Sequence, residues 1–413
     1  MAAFFGLLGI ALTARALEPV EFGMLMMVVS FAGVVIRLCG LESWQALIKF
    51  GADRRAEDPA ADISDLLRFG IFLDVFGCLL AAGVLFGLAQ AFGAWLGWRP
   101  EVVEGTQAFA IAALLSLTST PTAVLRMYNR FDLVAQHRVA AALAKLLVIG
   151  FTCYFDPTFN GLLLGWVLGQ ILHDVSLAVV GGTQLHRNGQ RLFGANSPFF
   201  ARVDSAVWRF VLKSNLDSVV RAVRELDVQL VALLLNEVAA GMWRLGRQIA
   251  LVVGILVNAV LEAIYPQIAQ LTSAKRWDLL PRFIFQTGGA VAGVVVVVLL
   301  GFLLIGAPLI TWVFGQAYQP VYALTAILIF SYVLVALIQA IWSTLLALGA
   351  QWHMVFNQLV ATVIYAALLV SLTLKFGLIG AGWAVAGLYL VWGALSFRSF
   401  RQVVPTPSSV RRE

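Results

Sequence analysis

The chain reads as a succession of long apolar runs separated by short polar connections. Runs long enough to cross about 30 Å of hydrocarbon fall at 2–17, 22–40, 69–92, 105–125, 139–155, 159–182, 211–235, 238–265, 283–307, 321–348, 354–374 and 377–397. Twelve transmembrane helices are therefore expected, an all-α polytopic membrane protein. The first run is deficient: only Ala2 to Ala14 precede Arg15, and that many residues at about 1.5 Å each fall short of a bilayer. Two readings stay open, a true start upstream of Met1 or a short first helix. With no basic leader and eleven spans behind it, the run is read as a helix and not as a signal peptide.

The connections are as informative as the runs. The longest, 183–210, divides the chain into an N-terminal lobe at 1–182 and a C-terminal lobe at 211–401, with a tail at 402–413 read as disordered. Inside it, Asn196-Ser197-Pro198 is a helix start, and Phe199, Phe200, Val203, Val207, Phe210 and Val211 recur at helical spacing opposite Arg202, Arg209 and Lys213. That pattern predicts an amphipathic helix lying on the membrane surface. Leu17, Val20, Gly23 and Met24 are echoed by Leu235, Val238, Gly241 and Met242, as two pseudo-symmetric six-helix lobes would place them.

Composition sharpens the class. The chain of 413 residues is 61% apolar and only 12% charged, with a mean hydropathy of +0.90, which excludes a soluble enzyme and leaves no room for a large domain outside the membrane. The net charge of +6 reflects topology and needs no nucleic acid as a partner. In one set of alternate connections stand Lys49, Arg54, Arg55, Arg68, Arg126, Arg130, Arg138, Arg187, Arg191, Arg202, Arg209, Lys213, Lys275, Arg276, Arg282, Arg398, Arg401, Arg411 and Arg412; the other set has only Arg15, Arg99 and Lys375. This bias predicts that both termini are cytoplasmic. Cys39, Cys78 and Cys153 lie inside apolar runs and are read as packing residues, with neither a disulfide framework nor a metal site. Zinc-protease, nucleophile-elbow and phosphate-loop motifs are all missing from the sequence.

Ionisable groups at membrane depth are the candidates for function. On the eighth span Arg244, Arg247, Gln248, Asn258 and Glu262 share one sector of about 100°. On the seventh, Asp217, Arg221 and Glu225 follow at successive i,i+4 steps, with Arg224 and Asp227 one step around. Arg221 can thus pair locally with Asp217 or Glu225, whereas Arg244 and Arg247 need a partner from elsewhere, or a ligand. Under the lobe repeat, Arg37 of the second span falls in the same sector as the eighth-span arginines. Guanidinium groups facing a wet cavity suit phosphate or carboxylate. Asp74 on the third span and His173-Asp174 on the sixth are either a site coupled to H+ or Na+ or buried, hydrogen-bonded packing groups. Pro121, within Ser116-Leu117-Thr118-Ser119-Thr120-Pro121-Thr122, predicts a kink in the fourth span whose freed backbone groups the hydroxyls satisfy.

Four segments carry a resemblance to a known family. They are Arg15-Ala16-Leu17-Glu18-Pro19-Val20-Glu21-Phe22-Gly23, the stretch from Gly40-Leu41-Glu42-Ser43-Trp44 to Ala52, Pro266-Gln267-Ile268-Ala269 at the close of the eighth span, and Phe314-Gly315-Gln316-Ala317-Tyr318. With the twelve-helix plan, the chain resembles the polysaccharide-export or O-antigen flippase branch of the multidrug/oligosaccharidyl-lipid/polysaccharide (MOP) exporter superfamily. The resemblance implies two six-helix lobes alternating between inward-open and outward-open states around a cavity bordered by spans 1, 2, 7 and 8. It implies a lipid-linked oligosaccharide of the undecaprenyl-diphosphate type as substrate, the bacterial cytoplasmic membrane as location, and polysaccharide-assembly proteins as partners. It assigns the binding of the anionic head group to Arg37, Arg221, Arg224, Arg244 and Arg247, with Gln248, Asn258 and Glu262 on the polar face. The short first span departs from the family pattern. The rival readings are a cation-coupled multidrug antiporter of the same superfamily, a membrane glycosyltransferase, polymerase or ligase acting on lipid-linked sugars, and a membrane scaffold.

Overall fold

A computed structural model describes residues 1–41, 43–57, 63–188, 205–274 and 276–404, apart from the side chains of 55, 213, 214, 216, 217, 221, 261, 262 and 351. Among the described residues the only regular structure is helical. The elements are α1 (Ala2–Ala16), α2 (Pro19–Cys39), α3 (Trp44–Glu57), α4 (Ser64–Gly87), α5 (Ala89–Leu96), α6 (Pro100–Leu114), α7 (Ser119–Met127), α8 (Phe131–Phe155) and α9 (Phe159–Arg187). They continue with α10 (Ser205–Arg224), α11 (Asp227–Leu234), α12 (Glu237–Ser273), α13 (Leu280–Phe314), α14 (Val321–Ala347) and α15 (Gln351–Val403).

Among the described residues, nine helical runs are long and apolar enough to cross a membrane. The remaining spans of the expected twelve are present in other forms: α1 is short, α10 and α11 form one interrupted span, and α15 holds two. Within α15, Gly377 adopts φ 61° and ψ −144°, a combination open essentially to glycine alone. The chain folds back there. Asn357 Nδ2 donates to Ser399 Oγ at 3.0 Å, and Gly387 lies against Leu368, so the halves run antiparallel, as the separate runs at 354–374 and 377–397 predict.

The connection before α4 holds an additional helix, α3, and α12 runs through Pro266 to Ser273 where the apolar pattern alone ends at 265. The fourth span is interrupted between α6 and α7. Pro121 has no N–H to offer the carbonyl of Leu117, and helical bonding resumes only from Ser119.

The compact units are Met1–Gln229 and Leu230–Glu413, so the division falls in α11 and not in the 183–210 connection. Burial explains this. Val207 and Val211 of α10 are buried with Ala46 and Leu47 of α3, Leu66, Phe69 and Leu73 of α4, and Ala123 of α7. Trp208 packs edge-on against Phe69 at 4.9 Å between ring centres. From Ser205 onward, then, the apolar face predicted to lie on the membrane surface is instead packed within unit 1. Asn196, Ser197, Pro198 and the tail from Pro405 lie outside the described residues.

Candidate functional site

Polar groups of unit 1 meet the break in the fourth span at two points, through Asp74 and through a cluster around Asp174. Asp74 of α4 accepts a hydrogen bond at 2.8 Å from the backbone N–H of Thr120, in the first turn of α7. A carboxylate from one helix therefore caps the resumed half of another. Asp174 of α9 receives the Ser116 hydroxyl at 2.6 Å, the Gln170 amide at 3.0 Å and His173 Nδ1 at 2.9 Å. Gln170 also accepts from Lys145 Nζ at 3.2 Å, while Lys145 lies over the Trp166 ring at 4.6 Å. His137 Nε2 meets Ser176 Oγ at 2.9 Å. Asp74 thus satisfies the Thr120 N–H at the break, and both Asp74 and Asp174 have structural partners.

The arginines assigned to the head group separate into two environments. In unit 1, Arg37 at the end of α2 pairs with Glu225, the residue that follows α10. Glu225 therefore engages a distant helix, and Arg37 enters the site already paired. Both partners keep part of their surface open, with the Arg37 side chain 46% and that of Glu225 33% exposed. A second bond joins the same two spans: Gln229 Nε2 donates to the Met27 carbonyl at 2.8 Å. Arg224 is half-buried. The Arg221 and Asp217 side chains lie outside the described residues.

In unit 2 the polar sector of α12 stands opposite a buried arc of Trp243, Ala250, Val253 and Val257. Arg244, Arg247 and Gln248 are half-buried, and Asn258 is exposed. Neither of the two arginines stands free, consistent with the cost of an isolated charge at this depth. The Glu262 side chain lies outside the described residues. Tyr332 of α14 is a member of this site that the sequence reading missed. Its ring lies so close to α12 that a Cβ on Gly254 would meet it at 2.5 Å. The signal was present as Gly254, about two turns after Arg247 and three after Arg244 on the same helix.

A protein-family model described as polysaccharide biosynthesis protein matches residues 1–272, about two thirds of the chain. The chain belongs to this family. It is 25% identical over 334 residues to the inner membrane protein YghQ of Escherichia coli K12, a match covering 78% of this chain and 91% of that one. Its fold is similar to an inward-facing multidrug-resistance MATE transporter of the MOP superfamily, with a TM-score of 0.75 and 11% identity over 100% of this chain and 96% of the other. It is equally similar to the lipid II flippase MurJ in an inward closed conformation, with a TM-score of 0.76 and 11% identity over 97% and 86% of the two chains. The protein is thus a multi-span membrane protein of the polysaccharide biosynthesis family with the fold of MOP-superfamily transporters and flippases.

Proposed function

We propose that this protein is an exporter of lipid-linked oligosaccharide, moving a polysaccharide or O-antigen repeat unit from the cytoplasmic to the outer leaflet by alternating access, and that it is not a transferase. The observation that carries the reading is the polar sector of α12, which holds Arg244 and Arg247 at membrane depth against a buried arc. Fixed guanidinium forks match the oxygens of a diphosphate or an acidic sugar. In unit 1, Arg221 and Arg224 take the same role, and Arg37 joins them when its pair with Glu225 opens. The family supports a saccharide substrate, and MurJ, which shares the fold, is a lipid II flippase. A multidrug transporter shares the fold too, but arginines in this sector favour an anion over a cationic drug.

Location in the inner membrane with cytoplasmic termini follows from the Lys and Arg bias and is supported by the likeness to YghQ. Exporting about two negative charges from a cell that is negative inside gains about 4–5 kcal/mol per 100 mV. In proteoliposomes, lipid-linked oligosaccharide of the undecaprenyl-diphosphate type is expected to cross, and faster when the receiving side is made positive. A protein that moves none at any potential, or that forms new glycosidic bonds instead, sinks the proposal.

A coupled H+ or Na+ is assigned no necessary part. Asp74 and Asp174 hold the break in the fourth span. Replacing Asp74 by Ala removes the acceptor of the buried Thr120 N–H and should cost about 1–3 kcal/mol of stability. Asp74→Asn keeps an acceptor oxygen and is expected to preserve both folding and export. A folded Asp74→Asn protein that no longer exports would assign this carboxylate to ion coupling.

A further inference from the structure

The connection between α4 and α6 is as apolar as the spans it joins. No charged residue stands between Asp74 and Arg99, yet α4 closes at Gly87 and a separate helix, α5, follows at Ala89–Leu96. A connection surrounded by water is ordinarily polar. Surface exposure runs in one line from the span into this connection. On α4, Phe76, Leu79 and Phe86 are exposed on one face, where a helix of spanning length meets lipid. The line continues through Leu88 to Trp95, which is 77% exposed. Around α5, Leu88 and Trp95 fall within about 20° of each other, and Gln90, exposed as well, stands about 140° from Trp95. The helix thus separates an apolar edge from a polar one.

The remaining face of α5 is fixed to unit 1. Phe92 and, just past the helix, Trp98 meet the buried Phe31 of α2 edge-on, at 5.8 and 5.0 Å between ring centres. A Cβ on Gly93 would meet Val103 of α6 at 2.5 Å. Gly97, with φ 66°, then turns the chain into α6. Closing α4 at Gly87 leaves carbonyl groups without intrahelical partners. The Phe86 carbonyl accepts from Gln107 Nε2 of α6 at 3.2 Å, and the Val84 and Leu88 carbonyls accept from the N–H groups of Leu88 and Phe92. Water would satisfy such groups unaided, whereas hydrocarbon leaves them to the protein.

We infer that α5 is an in-plane helix seated in the outer leaflet, with Leu88 and Trp95 among phospholipid acyl chains and Gln90 toward the head groups. An indole suits this depth, its ring in the apolar zone and its N–H at the polar boundary. Continuity with the lipid-facing side of α4 selects acyl chains over a protein partner. Through Phe92 and Trp98 the same helix braces α2 from the membrane surface. The inference rests on the cytoplasmic termini proposed above for its choice of leaflet, and not on the arginines of α12.

The test uses the full chain with Cys39, Cys78 and Cys153 replaced by Ala and one new cysteine labelled with the fluorophore NBD, reconstituted in vesicles of phosphatidylethanolamine and phosphatidylglycerol. Trp95→Cys reports on the proposed lipid edge, and Glu101→Cys, exposed in the first turn of α6, is the control in water. Neither of these two changes removes a buried side chain. For a seat about 5–10 Å below the head groups, 5-doxyl phosphatidylcholine should quench Trp95→Cys about twice as strongly as the 12-doxyl lipid, and iodide should quench it about threefold less than Glu101→Cys. Strong iodide quenching of Trp95→Cys without doxyl quenching overturns the inference, because the edge is then in water. Weak quenching by both overturns it too, because protein then covers the edge. In intact cells a membrane-impermeant maleimide should label Glu101→Cys. Protection there, with doxyl quenching retained, overturns the outer leaflet through the orientation and is distinct from the other two results. Transport of substrate enters none of these readings, so failure of the export proposal is read separately.

Discussion

Replacing Arg244 and Arg247 together by Ala is expected to lower export of surface polysaccharide by about a hundredfold or more, the loss of two charge-assisted contacts to a poorly hydrated anion. Protein abundance in the membrane should stay normal, because the buried arc of α12, from Trp243 to Val257, is untouched. The paired measurement is therefore surface polysaccharide against immunodetected protein. Normal export from the double variant would remove these arginines from the substrate path and favour a scaffold. Arg244→Lys with Arg247→Lys should recover only part of the activity, since an ammonium keeps the charge but loses the planar fork.

The second large effect concerns the pair between Arg37 and Glu225. Arg37→Glu or Glu225→Arg sets like charges side by side on two neighbouring spans. The cost should be about 1–3 kcal/mol, between that of an exposed and that of a buried pair, because both side chains keep some of their surface open. Each reversal is expected to reduce export by about tenfold or more by that cost. The double reversal restores opposite charges and should recover abundance, while export, which the head-group assignment ties to a cation at 37, should stay low. If its abundance is no better than that of the worse single variant, the pair is not a contact the protein depends on. Because the head-group assignment needs a cation at 37, recovery of abundance without export would place Arg37 on the substrate as well as in the pair.

What was legible in the sequence was whatever depends on local pattern. Apolar run length gave the spans, including the two halves of α15, because a hydrocarbon core imposes a minimum length on every crossing. The polar sector of α12 followed from helical periodicity alone. The partner of Arg37 was not legible for the same reason: an i,i+4 neighbour is visible along one helix, while a partner 188 positions away is not. Asp74 stood out as a charge in an apolar run, but the helix terminus it caps, at Thr120, exists only once the fourth span is broken. Val207 and Val211 have the periodicity of a membrane-surface helix, and the same periodicity serves burial against α3 and α4; the pattern does not say which apolar neighbour is met.

The reversal at Gly377 also bears on how the chain enters the membrane. One glycine between the last two described spans leaves no polar loop to thread across the bilayer, so neither half of α15 has an independent route in. The two insert as one hairpin, and Lys375, beside the turn, is the only formal charge the step carries through the hydrocarbon. The Asn357–Ser399 hydrogen bond can form only after both halves have arrived at matching depth. That contact therefore reports whether the hairpin sits in register.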